Sequence, residues 1–160
     1  MENVEKSRVM ESPVGPLTLT ARSGRLTGIA FGKNAFVDAE REKDAILDLA
    51  EKELKAYFNG KLREFTVPVA FPPGIGVYTL RVLEALRGIP YGGRVTYGGL
   101  AAKLSSSARA VGGAVGRNPL PIMVPCHRVV AAHGLGGYSG DWESGRALSV
   151  KKTLLELEAR

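Results

Sequence analysis

The chain has 160 residues, 44% of them hydrophobic and 24% charged, with a formal net charge of +6, one cysteine and two histidines. Such a composition describes a globular chain of one domain or two small ones, long enough to bury a core without covalent staples. A single cysteine excludes an internal disulfide, and one cysteine with two histidines cannot complete a four-ligand structural zinc cage.

The first residues, MENVEKSRVMESPVG, carry acids from the second position and no apolar run of signal-peptide length. No later stretch approaches the ~20 apolar residues that span a bilayer, so a soluble, cytoplasmic protein is expected. PLTLTARSGRLTGIAFG (16–32) alternates apolar and polar residues on both sides of Ser23-Gly24, which predicts two antiparallel strands joined by a tight turn. From Val37 to Phe58, the apolar positions Ile46, Leu49, Ala50, Leu54, Tyr57 and Phe58 fall at helical spacing, and Asn59-Gly60 supplies a stop. VPVAFPPGIG (67–76) contains three prolines and cannot continue a helix, so it reads as the connection to a second unit. Beyond it, Val77–Arg87 is helical by the spacing of Leu80, Leu83 and Leu86. Two short helices follow at Thr96–Leu104 and Ala108–Val115, separated by Ser105-Ser106-Ser107. The expected fold is mixed α/β (α+β): a small strand-and-helix domain over residues 1–70, then a mainly helical domain over residues 76–160.

Charge is divided unequally between these halves. Residues 1–75 hold eleven Lys/Arg and eleven Asp/Glu, whereas residues 76–160 hold eleven and five. Between Glu84 and Asp141 there is no acid at all, while Arg87, Arg94, Lys103, Arg109, Arg117 and Arg128 are spread through the stretch. A basic face of this kind favours a phosphate backbone, and its plainer reading is a solvated surface.

The paired short helices have the outline of a helix-turn-helix. The second, ARAVGGAVG, is nearly all Ala, Val and Gly, with Arg109 as its one large polar side chain. A helix that reads base edges displays several Arg, Asn, Gln or Ser residues, so this one suits shape-based contact such as minor-groove approach. Close helix packing inside the core explains the small residues equally well.

VPCHRVV (124–130) contains the only cysteine, Cys126, directly followed by His127. A lone cysteine is often an inert buried residue. Here His127 and Arg128 supply positive potential that favours a thiolate, and the glycine-rich HGLGGYSG (133–140) follows closely enough to wall a pocket. Adjacent side chains of an extended segment point to opposite faces, so proton transfer from Cys126 to His127 calls for a turn or a bridging water.

GRNPLPIMVPCHRVV closely resembles the active-site signature of the O6-alkylguanine-DNA alkyltransferases. The resemblance extends in order to IPYGGRVTYGGLA, to ARAVGGAVGRNP as the family's recognition helix, to GLGGYSG as its active-site loop, and to KKTLLELE as its closing helix. It implies a DNA-repair protein that transfers an alkyl group irreversibly from guanine O6, and often thymine O4, to its own cysteine. The resemblance makes Cys126 the nucleophile and His127, held by Glu158, the group that draws its proton through a bound water. Tyr97 would hydrogen-bond the guanine ring nitrogen N3, the Ser139 N–H would meet O6, and the carbonyls of Cys126 and Val129 would accept from the exocyclic amine. Arg109 would fill the space left by a flipped nucleotide, with Ala110, Thr96 and Arg128 as further DNA contacts. Asn118 would tie the helix-turn-helix to the active-site segment, and Pro121 and Tyr138 would line the alkyl pocket. The implied partner is double-stranded DNA containing O6-alkylguanine, bound by a monomer without membrane, metal or cofactor.

The chain departs from the family pattern at Tyr78-Thr79, at Val82-Leu83 and at the turn Ser105-Ser106-Ser107, which look like packing changes. The segment DWESGRALSV (141–150) is longer than usual and brings in Trp142. Two alternatives remain: a non-reacting alkyltransferase-like protein that only binds lesions, against which Cys126 itself argues, and a cysteine hydrolase with turnover, which needs a route for water to release the adduct.

Overall fold

A computed structural model of the chain describes residues 4–32, 43–134 and 146–160. The chain divides into two compact units, Met1–Pro73 and Gly74–Arg160.

Among the described residues, the first unit holds a three-stranded antiparallel sheet in the order β1 (Glu5–Met10), β2 (Leu17–Arg22), β3 (Arg25–Phe31), with one helix, α1 (Ala45–Phe58). The β2–β3 hairpin closes through Ser23 (φ 54°) and Gly24 (φ 77°). Two consecutive left-handed residues match the right-handed twist of the strands, and Gly24 takes its place without steric cost. Leu17, Leu19 and Ala21 alternate inward along β2 and are buried. On α1 the inward stripe is Leu47, Ala50, Leu54, Tyr57 and Phe58. The helix starts at Asp44, whose carboxylate accepts from the Ile46 and Leu47 N–H groups at 2.9 Å each. The expected start at Val37 lies outside the described residues, and the apolar positions Ile46 and Leu49 are only half-buried.

Strand β1 was not foreseen from the sequence, because one of its two inward-facing residues is an arginine. Arg8 is buried and reaches Asp48 at 2.6 Å and Glu51 at 3.4 Å on α1. The proline-rich connection is not all linker either. Glu53 accepts from the Thr66 and Val67 N–H groups at 2.8 and 3.1 Å, and Leu26 on β3 bonds with Pro68 and Ala70.

The second unit begins with α2 (Val77–Leu86), whose Thr79, Val82, Leu83 and Leu86 are buried. A two-residue strand β4 (Val95–Thr96) leads into α3 (Tyr97–Lys103), then α4 (Ala108–Val115), a 3-10 turn at Cys126–Arg128, strand β5 (Val129–Val130) and α5 (Arg146–Glu158). Thr96 and Ser107 cap α3 and α4 by accepting from Gly99 and Ala110 N–H groups. Between the two helices, Ser105 takes a left-handed φ of 53° and Tyr78 Oη lies 2.6 Å from Ser106 Oγ. Arg81 also bonds the Leu104 carbonyl at 2.6 Å. The residues that depart from the family pattern therefore support one another, since Tyr78 on α2 holds the serine turn. No helix among the described residues is long and apolar enough to cross a membrane.

Candidate active site around Cys126

Three backbone devices bring the site together. First, β4 and β5 pair in parallel with Val95 opposite Val129 and Thr96 opposite Val130, which sets the start of α3 beside the residues that follow Cys126. Second, Asn118 at the end of α4 clamps the approach to the cysteine: its Nδ2 donates to the Val124 carbonyl at 2.8 Å and its Oδ1 accepts from Leu120 N–H at 2.9 Å. Inside that clamp Ile122 is held at φ 77°, a conformation a β-branched residue adopts only when its surroundings impose it. Pro121 is buried in the same loop. Third, Cys126–Arg128 form a 3-10 turn after Pro125, so the two-residue alternation of an extended strand does not apply. In such a turn successive side chains are rotated by about 120° rather than set on opposite faces.

Cys126 and His127 are both buried. His127 Nε2 lies 2.7 Å from Glu158 Oε2. Glu158 is itself buried at the end of α5, and Arg128 grips it in a fork, Nε to Oε1 at 2.8 Å and Nη2 to Oε2 at 2.9 Å. Gly92 N–H donates to the same carboxylate at 3.2 Å. Gly92 adopts φ 79°, a left-handed conformation that glycine takes without steric cost. Arg128 completes its bonds with the Ile89 carbonyl at 2.6 Å and lies over the Tyr91 ring. Its expected role at the DNA surface is corrected by this placement: a buried guanidinium forked onto a carboxylate reaches a phosphate only by breaking the pair, at a cost of about 3–5 kcal/mol.

The electrostatics follow from burial. Burial is the largest influence on His127 and pushes its pKa below the usual value; the Glu158 hydrogen bond and charge oppose the shift, while Arg128 and Lys151 add to it. The imidazole is therefore neutral at pH 7. With Glu158 ionised, Nε2 carries the hydrogen and Nδ1 carries the lone pair; Nδ1 is buried and has no hydrogen-bond partner among the described residues. Tyr97 is raised by burial first and by the charge of Cys126 second, so it remains a protonated donor.

Lys151 was missed as a site residue. It is wholly buried, its Nζ donates to the Val129 carbonyl at 2.7 Å and stands 5.5 Å from the centre of the Tyr97 ring. Its signal in the sequence is weak. Two adjacent lysines open the closing helix segment, and nothing in their spacing distinguishes buried Lys151 from exposed Lys152.

Of the remaining expected residues, Arg109 and Ala110 are exposed on α4 and Thr96 is exposed at the start of α3. Val111, Ala114 and Val115 turn inward while Ala108, Arg109, Ala110, Gly113 and Gly116 face out. The small residues thus serve both purposes weighed from the sequence, close packing on one side and a shallow outer face with one long arm on the other. Ser139, Tyr138 and Trp142 lie outside the described residues.

Two family models match the chain: the 6-O-methylguanine DNA methyltransferase ribonuclease-like domain over residues 6–71 and the DNA binding domain of the same proteins over residues 78–160. The chain is similar to the methylated-DNA–protein-cysteine methyltransferase of Methanosarcina acetivorans, 38% identical over 157 residues, covering 94% of this chain and 96% of that protein. It is also similar to the protein of that name from Metallosphaera sedula, 36% identical over 148 residues, covering 92% and 88%. Among solved structures, a crystal structure of the Mycobacterium tuberculosis O6-methylguanine methyltransferase matches with a TM-score of 0.81 and 36% identity over 98% of this chain and 93% of that one. A crystal structure of the same organism's enzyme in complex with DNA matches with a TM-score of 0.81, 38% identity, and coverage of 96% and 92%.

Proposed function

Because the chain belongs to the O6-methylguanine DNA methyltransferase family, we propose that it repairs alkylated DNA by moving the alkyl group from guanine O6 onto Cys126, once per molecule. The observation that carries the assignment to Cys126 is the buried relay in the next residue: neutral His127, its Nε2–H committed to Glu158 and its Nδ1 without a partner among the described residues. That nitrogen accepts the thiol proton, directly or through one water, and the thiolate attacks the alkyl carbon in line. The carbon–oxygen bond breaks and its electron pair passes into the guanine ring. Tyr97, still protonated at neutral pH, donates to the ring nitrogen where that charge develops. The Val129 carbonyl already accepts from Lys151, and its second lone pair serves the exocyclic amine of guanine. By the resemblance to the family, Ser139 N–H would meet O6 and Pro121 and Tyr138 would bound the alkyl group, Tyr138 and Ser139 lying outside the described residues.

A base inside a duplex cannot reach a buried sulfur, so the nucleotide leaves the stack. The exposed face of α4 suits the minor groove, and Arg109 occupies the gap left behind. The partner is double-stranded DNA bound largely without regard to sequence, through an acid-free basic stretch. Nothing in this chemistry cleaves a thioether, so each molecule is consumed.

Mass spectrometry after mixing the protein with excess duplex containing O6-methylguanine tests the reading. One methyl group per molecule, on the Cys126 peptide, is the expected result. Tight binding without a mass gain would make the chain a lesion-binding protein, and product in excess of protein would make it a hydrolase.

A further inference from the structure

Arg117 is a cation that the transfer just described does not use. It follows α4 directly, and its side chain folds back along the helix: a Cβ built on Gly113 would stand 3.6 Å from Nη1 and 4.0 Å from Nη2. Gly113 lies one turn after Arg109, and residues four apart share a helix face. Both are exposed. The guanidinium therefore takes the place that a side chain at Gly113 would fill, on the outer stripe that carries Arg109. It is also tethered there. Nη2 donates to Thr79 Oγ1 on α2 at 3.2 Å, across 38 residues of chain. Thr79 is buried while Arg117 is exposed, so an immobile hydroxyl holds a solvent-facing charge.

A cation at a helix C-terminus can serve the helix dipole. Arg117 is placed otherwise. Its side-chain hydrogen bond among the described residues goes to Thr79 rather than to an α4 carbonyl, and it forms no ion pair among them. A neutral threonine leaves the charge uncompensated, and no acid occurs between Glu84 and Asp141 to balance it along the chain.

We propose that Arg117 is a second DNA-contact residue, preset by Thr79 over Gly113 to meet a backbone phosphate while Arg109 enters the duplex. The inference rests on the reading that the exposed face of α4 approaches the minor groove. A guanidinium has five N–H donors, and one bond to Thr79 leaves four for phosphate oxygens, in the planar fork that matches them. Fixing the side chain beforehand removes the ordering cost that a mobile surface arginine meets on binding. The two arginines divide the task. Arg109 acts where the nucleotide leaves, and Arg117 adds affinity that carries no sequence information.

The test is the affinity of the full chain for undamaged duplex and for duplex containing O6-methylguanine, measured by fluorescence anisotropy over a range of salt. Arg117→Ala is expected to weaken both duplexes by the same factor, roughly five- to tenfold at physiological salt, and to make the slope of log Kd against log salt shallower by about one. Thr79→Val keeps the shape of the buried side chain and the charge of Arg117. Its slope is expected to match wild type while its affinity falls at least about twofold, because the guanidinium must then be ordered on binding. Unchanged affinity and slope in Arg117→Ala would make the residue a solvated bystander and overturn the proposal. A loss confined to the lesion duplex, or an equal loss of rate on free O6-benzylguanine, would place Arg117 with the base or with the neighbouring Asn118 clamp and overturn it as well. Wild-type affinity in Thr79→Val refutes the presetting. Should Thr79→Val not fold, Arg117→Lys decides that point: the slope is expected to stay and the affinity to fall, and full wild-type affinity counts against a preset fork. Wild-type protein that binds neither duplex, or gains no methyl group on Cys126, would instead sink the proposed function, a separate outcome.

Discussion

Glu158 and His127 meet at 2.7 Å with side chains 1% and 0% exposed, although 31 residues separate them. Arg128 grips the same carboxylate through two bonds, so the group that orients the histidine is itself held rigid. Replacing Glu158 with Gln keeps the shape but removes the charge that fixes the His127 tautomer. The expected transfer rate falls at least about 100-fold, and stability falls by about 3–5 kcal/mol because Arg128 is left as an uncompensated buried cation. Single-turnover kinetics and denaturant melts check the two effects separately.

The depressed pKa of His127 sets the acid limb of the reaction. Protonation removes the base, so the transfer rate should hold steady as pH falls through the ordinary histidine value of about 6.5 and decline only below it. Stability has the same sign. The unfolded chain binds the proton more readily than the folded one, so the contribution present above about pH 6.5 is lost as pH falls toward the folded value. Rates and melts between pH 5 and 8 measure both, and a rate that halves at pH 6.5 contradicts the assignment.

Arg109 is the long side chain on the exposed face of α4. Arg109→Ala should slow repair of duplex DNA about tenfold or more, since extrusion costs a few kcal/mol. Reaction with free O6-benzylguanine should be untouched, and equal loss on both substrates would exclude a role in flipping.

Asn118→Ala removes two bonds of the clamp, orphaning the Leu120 N–H and leaving the Val124 carbonyl with the Cys126 N–H alone. A loss of about 1–3 kcal/mol is expected. The rate on free O6-benzylguanine should fall as well, because the strained Ile122 loop then relaxes and Cys126 loses its fixed approach. A variant that melts early yet reacts at the wild-type rate would confine Asn118 to a structural role.

The sequence carried the local elements well where chain chemistry is local. The Ser23-Gly24 turn, the helix stop at Asn59-Gly60 and the capped helices at Thr96 and Ser107 follow from residues within four positions of one another. It failed at β1, where inward-facing Arg8 breaks the apolar alternation and is balanced by Asp48 and Glu51, some forty residues away. It misjudged Arg128 for the related reason that a basic residue in a basic stretch reads as surface.

By itself, then, the sequence determined the two-part organisation, the helix-turn-helix and the identity of the cysteine motif, because periodicity, capping and motif order are written along the chain. The tertiary structure alone decided that Arg128 turns inward onto Glu158, that burial lowers the His127 pKa, and that Lys151 stands buried against Tyr97 and Val129. Those outcomes depend on desolvation and on charges brought together from distant segments, and neither quantity exists until the helices have packed.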